Sequence, residues 1–202
     1  MTFLTRLDVI NEMLGTMGEA PLNSPDEGHP LYPAGNRMLD VANYKILARG
    51  WWFNTELIEL TPDAQSSFIY LPDDTIRIDP REPCLNYVQR GRRLYNPFAP
   101  PSSDKYKFSE PVLCWLVRHI QFTDLPVPAQ LLVSYTAQMD FQRQYDADAQ
   151  KAQRLDVAYR SALIDMNAEH IRNVNANFLN NPSLRASMNA VSTTNWATLR
   201  TR

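Results

Sequence analysis

The chain has 202 residues, 44% of them hydrophobic and 21% charged, with 15 prolines, 6 glycines and 2 cysteines, enough for one domain with a real core or for two small ones. Two cysteines, Cys84 and Cys114, exclude a disulfide scaffold, and no apolar run reaches the roughly 18 residues of a membrane helix. The net charge of −2 divides unevenly: residues 1–169 carry 16 Lys+Arg against 22 Asp+Glu, while residues 170–202 hold four arginines and no acid.

An acidic body with a basic tail is the composition of an interaction tail, although a frayed, solvated end has the same composition. The opening Met1-Thr2-Phe3-Leu4-Thr5-Arg6 lacks a basic stretch followed by an apolar core, so a protein made and kept in a reducing cytoplasm is expected. Thr5-Arg6-Leu7-Asp8 has the form of a capping box. Leu7, Ile10, Leu14 and Met17 then mark one face of a first helix, with Gly18 and Pro21 ending it. Residues 21–33 hold four prolines and a glycine and read as a loop. A second helix is expected from about Ala34 to Arg49, with Met38, Val41, Ala42, Ile46 and Leu47 inward and Gly50 closing it.

From Trp51 the period changes. Trp51 to Leu60 is aromatic and β-branched enough for a strand. Ser67–Leu71, Thr75–Ile78, Cys84–Gln89 and Arg93–Asn96 are further candidates, with a hairpin turn at Arg90-Gly91. Val112–Phe122 is the strongest strand candidate; periodicity alone would also allow a buried helix there. Residues 125–174 contain no glycine, and Pro126 and Pro128 fall in the opening turn. Ala152, Leu155, Tyr159, Ala162 and Met166, widened by Leu163 and His170, form the stripe of an amphipathic helix. From Ala147 to Val174 the rise is roughly 40 Å at about 1.5 Å per residue. A break near Asp146 or Asp148, with Asp146 as N-cap, gives two antiparallel helices covering each other; one continuous rod is the alternative.

The expected fold class is therefore α+β: an antiparallel helical bundle from both ends of the chain (residues 1–50 and 123–173), an inserted small antiparallel β domain (51–122), and an extended C-terminal tail (174–202). In the tail, Arg185, Trp196, Arg200 and Arg202 are the candidate docking residues, an aromatic anchor among cations that meet an acidic surface.

Candidate chemistry is sparse. Glu56 and Glu59 have opposite parity on a strand, as do Asp73 and Asp74, so neither pair points into one cleft. The histidines His29, His119 and His170 have no second ligand at metal spacing, and no glycine-rich phosphate loop occurs. No catalytic residue, metal or cofactor is expected. Arg90, Arg92 and Arg93 form the one basic cluster, suited to a phosphate, to an acidic partner or simply to a solvated hairpin tip. Trp51, Trp52 and Phe53 read either as core or as a stacking platform.

Asn11-Glu12-Met13-Leu14, Gly18-Glu19-Ala20-Pro21 and Asn23-Ser24 together resemble the opening of the tail tubular protein A family, the adaptor or gatekeeper proteins of short-tailed, podovirus-type bacteriophages. Gly50-Trp51-Trp52-Phe53-Asn54, then Arg118-His119-Ile120-Gln121-Phe122 with Leu125-Pro126, match that family's passages from helix to strand and back. The resemblance does not reach residues 174–202. It implies a virion structural protein: a head-to-tail adaptor ring of identical subunits, twelve in this family. The ring joins the portal protein to the nozzle, tail tubular protein B, and encloses a channel through which genomic DNA passes without sequence-specific binding. Tail fibres attach near the ring–nozzle junction. On that reading Arg185, Trp196, Arg200 and Arg202 meet the portal, Arg90, Arg92 and Arg93 meet nozzle or fibres, and Leu155, Tyr159 and Met166 pack subunit on subunit. The runner-up is a tail-associated, peptidoglycan-degrading enzyme. A nucleic-acid-binding module is disfavoured by the acidic body. No membrane insertion is expected.

Overall fold

The computed structural model describes residues 3–82 and 85–174. Of the described residues, those up to 166 form one compact unit, and residues 167–174 fall in a second. The described part is α+β. It contains α1 (Arg6–Thr16), α2 (Tyr32–Leu47), β1 (Thr55–Leu60), β2 (Thr75–Pro80), β3 (Val88–Arg90), β4 (Arg93–Tyr95), β5 (Val112–Arg118), α3 (Val127–Tyr145) and α4 (Ala149–Val174).

The capping box forms as the sequence predicts: Thr5 accepts from the Asp8 amide, and the Asp8 carboxylate accepts from the Thr5 amide. The Thr5 hydroxyl, donating at 2.6 Å, and the Thr5 amide hold the Asp8 carboxyl below the usual carboxylate range. After α1 the chain is shaped by side-chain hydrogen bonds of Asn11 and Glu27. Asn11 accepts from the Leu22 amide at 2.8 Å and donates to the Leu22 carbonyl at 2.9 Å. Glu27 accepts from the amides of Asn23 and Ser24. This segment's specificity is therefore conformational: it fixes how α1 hands over to α2.

The helices α1, α2 and α3 pack on one another pairwise around Ile10, Met13, Leu14, Leu39, Leu47, Leu132 and Phe141, all fully enclosed. Within α2 the inward face is Gly35, Leu39, Ala42, Asn43, Ile46 and Leu47. Met38 is only partly buried and Val41 is exposed, so the expected inward set is shifted by one residue around the helix. Gly35 lies at the crossing with α1, where a Cβ would make ordinary contact with the Ile10 and Met13 side chains at 3.4 and 3.5 Å.

A second core lies among the strands: Leu60, Ile69, Leu71, Ile78, Leu94, Phe108, Val112, Cys114 and Leu116. The strand β5 is central in an antiparallel sheet of order β1-β5-β2, which settles the strand-or-helix alternative for Val112–Phe122 over its first seven residues. The strands β3 and β4 form a hairpin, turned through Gly91 at φ 61, a left-handed conformation that glycine adopts without a Cβ penalty. Ser67–Leu71 forms isolated bridges at Phe68 and Tyr70 instead of a full strand.

Two buried asparagines join the halves. Asn54, 1% exposed, accepts from the Trp51 amide and donates to the carbonyls of Leu47 and Arg118. Asn43 donates to the Ile120 carbonyl at 2.9 Å. One ties the end of α2 to β5, the other ties α2 to the segment leaving β5. Because Asn54 makes a tight turn here, Trp51–Phe53 is not strand; β1 begins at Thr55. Trp51 is buried and donates its indole N–H to the Ile46 carbonyl, and Trp52 and Phe53 pack against the helical core. The aromatic triplet is core, not an open stacking platform.

Residues 125–174 form two helices broken at residues 146–148. The expected N-cap is corrected by two positions. Asp148, not Asp146, accepts from the amides of Gln150 and Lys151, which holds its carboxyl below the usual range. Asp146 caps the end of α3 and pairs with Lys151 at 2.7 Å. Mutual cover of the two helices is also corrected. Only Ala162 and Met166 of α4's 26 residues are buried, with Tyr159 and Leu163 packed beside them.

Candidate interaction surfaces

Three surfaces carry exposed or unusually placed chemistry. The first is the outer face of the hairpin layer. Alternation on adjacent strands buries Ile69 and Leu94 and turns Phe68, Tyr70, Arg93 and Tyr95 outward, with Arg90 directly opposite Arg93. The Arg90 guanidinium lies 3.7 Å from the Tyr95 ring centroid. That of Arg93 lies 4.6 Å from Tyr106 and 5.2 Å from Phe68. Tyr95 and Tyr106 meet edge to face at 5.0 Å. Arg92, on the turn itself, pairs with Asp73 at 2.6 Å, both side chains well exposed. The cluster Arg90, Arg92 and Arg93 is thus divided: two arginines stacked on rings, one tied to an acid.

The second surface is the outward side of α4. Val157 and Ile164 are 64% and 68% exposed, and with the exposed Ser161 they follow the four-then-three spacing of a helical stripe. Leu155 and Tyr159 are half-buried on the inward side, and Met166 is completely enclosed within the subunit. Met166 therefore has no surface left for another subunit, which corrects its expected role. An open groove of about 540 Å³ between α2 and α3 is lined by Arg37, Met38, Val41, Lys45, Asp140 and Tyr145.

The third is a polar seam inside the bundle. The α3 residues Gln130, Ser134, Gln138 and Gln142, four apart, are all at most 5% exposed. Gln130 accepts from the Leu4 amide and donates to the Phe122 carbonyl. Ser134 and Gln138 donate to one carboxylate oxygen of Glu12 at 3.1 and 2.6 Å, and Gln142 donates to the Asp148 carbonyl. The stem of Glu12 is exposed on α1, but its carboxylate leans on α3. Loss of water there raises its pKa, with the Asp8 carboxylate adding to the rise. The sequence gives this seam away only as polar residues at helical spacing, which reads as a solvent face.

Three of the four acids considered for catalysis, Glu56, Asp73 and Asp74, have structural partners. Arg118 donates to Asp74 at 2.7 Å and to Glu56 at 3.3 Å, and Asp73 holds Arg92. Among the described residues no group of His, Cys, Asp and Glu could hold a metal ion, and no helix is long and apolar enough to cross a membrane. Cys114 is a free, buried thiol pushed up to about 11 by desolvation, with Asp79 adding to the shift. The candidate tail residues Arg185, Trp196, Arg200 and Arg202 lie outside the described residues.

The described residues thus form a helical bundle with a small antiparallel β region. The tail tubular protein family matches residues 7–175, and the chain belongs to that family. Tail tubular protein A of Klebsiella phage KP34 is 28% identical over 177 residues, covering 84% of this chain and 89% of that protein. The chain is a structural component of a bacteriophage tail and resides in the virion tail.

Proposed function

We propose that the protein is a head-to-tail adaptor: a ring of identical subunits, twelve by analogy with the family. It joins the portal to the nozzle and forms part of the channel for DNA ejection. The observation that carries the ring is the apolar outer stripe of α4, which nothing within residues 1–166 covers. A helix of this length with one face in the core and a second apolar face outward is built to pack against another molecule. The α2/α3 groove offers a different, partly apolar surface of the same subunit. Stripe into groove is a heterologous contact, and heterologous contacts that close by rotation make rings. In this arrangement Val157 and Ile164 replace Met166 in the subunit contact, with Leu155 and Tyr159 at its inner margin.

The β region faces nozzle and fibres through the hairpin that carries Arg90, Arg92 and Arg93. The basic tail, with Arg185, Trp196, Arg200 and Arg202, climbs onto the portal. A body with six more acids than bases suits a conduit, since a strongly basic lumen would hold DNA that has to slide. Assembly takes place in the host cytoplasm, and no enzymatic step is assigned to the protein.

The test is the mass of the particle formed when purified protein is mixed with its portal. A ring-sized increment on the portal is expected, and deletion of residues 174–202 should abolish it. A chain that remains a lone subunit beside the portal defeats the ring; a truncated chain that docks at full affinity defeats the tail assignment.

A further inference from the structure

The hairpin layer carries a cost that its own packing does not explain. Arg90 and Arg93 occupy directly opposed positions on β3 and β4, and like charges in that relation repel. Neither forms an ion pair with any carboxylate among the described residues, although Arg77, Arg92 and Arg118 nearby all do. What holds the two guanidinium groups is aromatic: the Tyr95 ring under one, Phe68 and Tyr106 beside the other. Stacking fixes the planar fork and leaves its N–H edges for a ligand. Tyr70, 53% exposed, borders the same face.

Those rings already carry the chain's own cations, so they are poor platforms for nucleobases. What the face offers is donors in a fixed plane, the geometry that takes carboxylates two N–H groups at a time. We propose that this face docks an acidic segment of a neighbouring tail protein, Arg90 and Arg93 each pairing with a carboxylate while Arg92 stays with Asp73. The proposal rests on the reading of the hairpin as the partner-facing end of the β region, and it supplies the chemistry of that partner.

The experiment uses the full chain and three labelled probes: a Glu/Ser peptide, a Gln/Ser peptide of equal length, and an oligothymidylate. The acidic peptide should bind, with affinity falling as salt rises, and the other two should bind at least about tenfold more weakly. Arg90→Gln with Arg93→Gln should lose that about tenfold. The double Lys variant should lose most of it while keeping the charge, because an ammonium cannot offer the fork. Arg92→Gln should stay within about twofold, as exposed ion pairs contribute little. Tighter binding of the oligothymidylate, equal binding of the neutral peptide, or an unaffected double Gln variant would each overturn the proposal. Should the double variants fail to fold, photo-crosslinking of the acidic peptide to the wild-type chain decides: adducts at residues 68–70, 88–95 or 105–107 support the face, and adducts elsewhere overturn it. None of these measurements involves the portal, so failure here leaves the ring untouched, and failure of the ring leaves this binding untouched.

Discussion

The adjacent helices α3 and α4 invert the usual distribution of polarity. In α3 a stripe of Gln130, Ser134, Gln138 and Gln142 lies inside the bundle; in α4 Val157 and Ile164 lie outside it. Both arrangements are costly until partners are counted. A buried amide without hydrogen bonds costs about 1–3 kcal/mol, and each α3 side chain has found at least one partner, most of them on α1 or at the helix ends. An exposed Val or Ile forgoes about 1.5–3 kcal/mol of burial, and in α4 no partner is supplied among the described residues. The polar seam therefore belongs to the subunit and defines how α1 sits on α3, while the apolar stripe is the face that the proposed ring would cover.

The sharpest way to break this contrast is Val157→Lys with Ile164→Lys. If the stripe is an interface, ring formation on the portal is abolished while the thermal midpoint of the isolated chain hardly moves, since surface substitutions stay within about 0.5 kcal/mol. A ring that forms normally from this variant would assign the stripe to nothing. The inward face answers oppositely. Met166→Ala removes an enclosed side chain and should cost about 3 kcal/mol of subunit stability, read by chemical denaturation. A cost below about 1 kcal/mol would mean that α4 is barely seated on the core.

Much of this was legible beforehand, and the misses share one cause. Periodicity found α1, α2, the α3/α4 break and the inward stripe of α4, because burial of a helix face leaves a regular mark. It misplaced the start of β1, because Trp51 and Phe53 look like strand residues, whereas Asn54 turns the chain through hydrogen bonds to Leu47 and Arg118 that are far from it in space only before folding. It gave Asp146 the cap held by Asp148, since either carboxylate fits the pattern and the exit from α3 decides between them. The seam in α3 and the ring-stacked arginines were hidden because a polar residue's meaning depends on its partner, and partners here come from up to 126 residues away. Arg90, Arg92 and Arg93 were found as a cluster; that one of them is tied to Asp73 required the fold.

The seam can be tested through its one acid. Glu12 accepts from Ser134 and Gln138 through a single oxygen, so Glu12→Gln keeps an acceptor in place and removes only the charge. Its carboxyl pKa is raised in the folded chain, chiefly by lost hydration. The folded form thus holds the proton in a pH range where the unfolded chain has released it, and stability falls as pH rises through that range, upward from the ordinary 4.5. The expected result is a Gln variant that melts slightly above wild type at neutral pH, with the gap closing as pH drops below 4.5. Asp148, whose value is lowered, acts in the opposite sense in both proteins and therefore cancels in the comparison. A Gln variant less stable than wild type at neutral pH would show that the charged hydrogen bonds outweigh the lost hydration. The seam would then be held together by its charge, and not in spite of it.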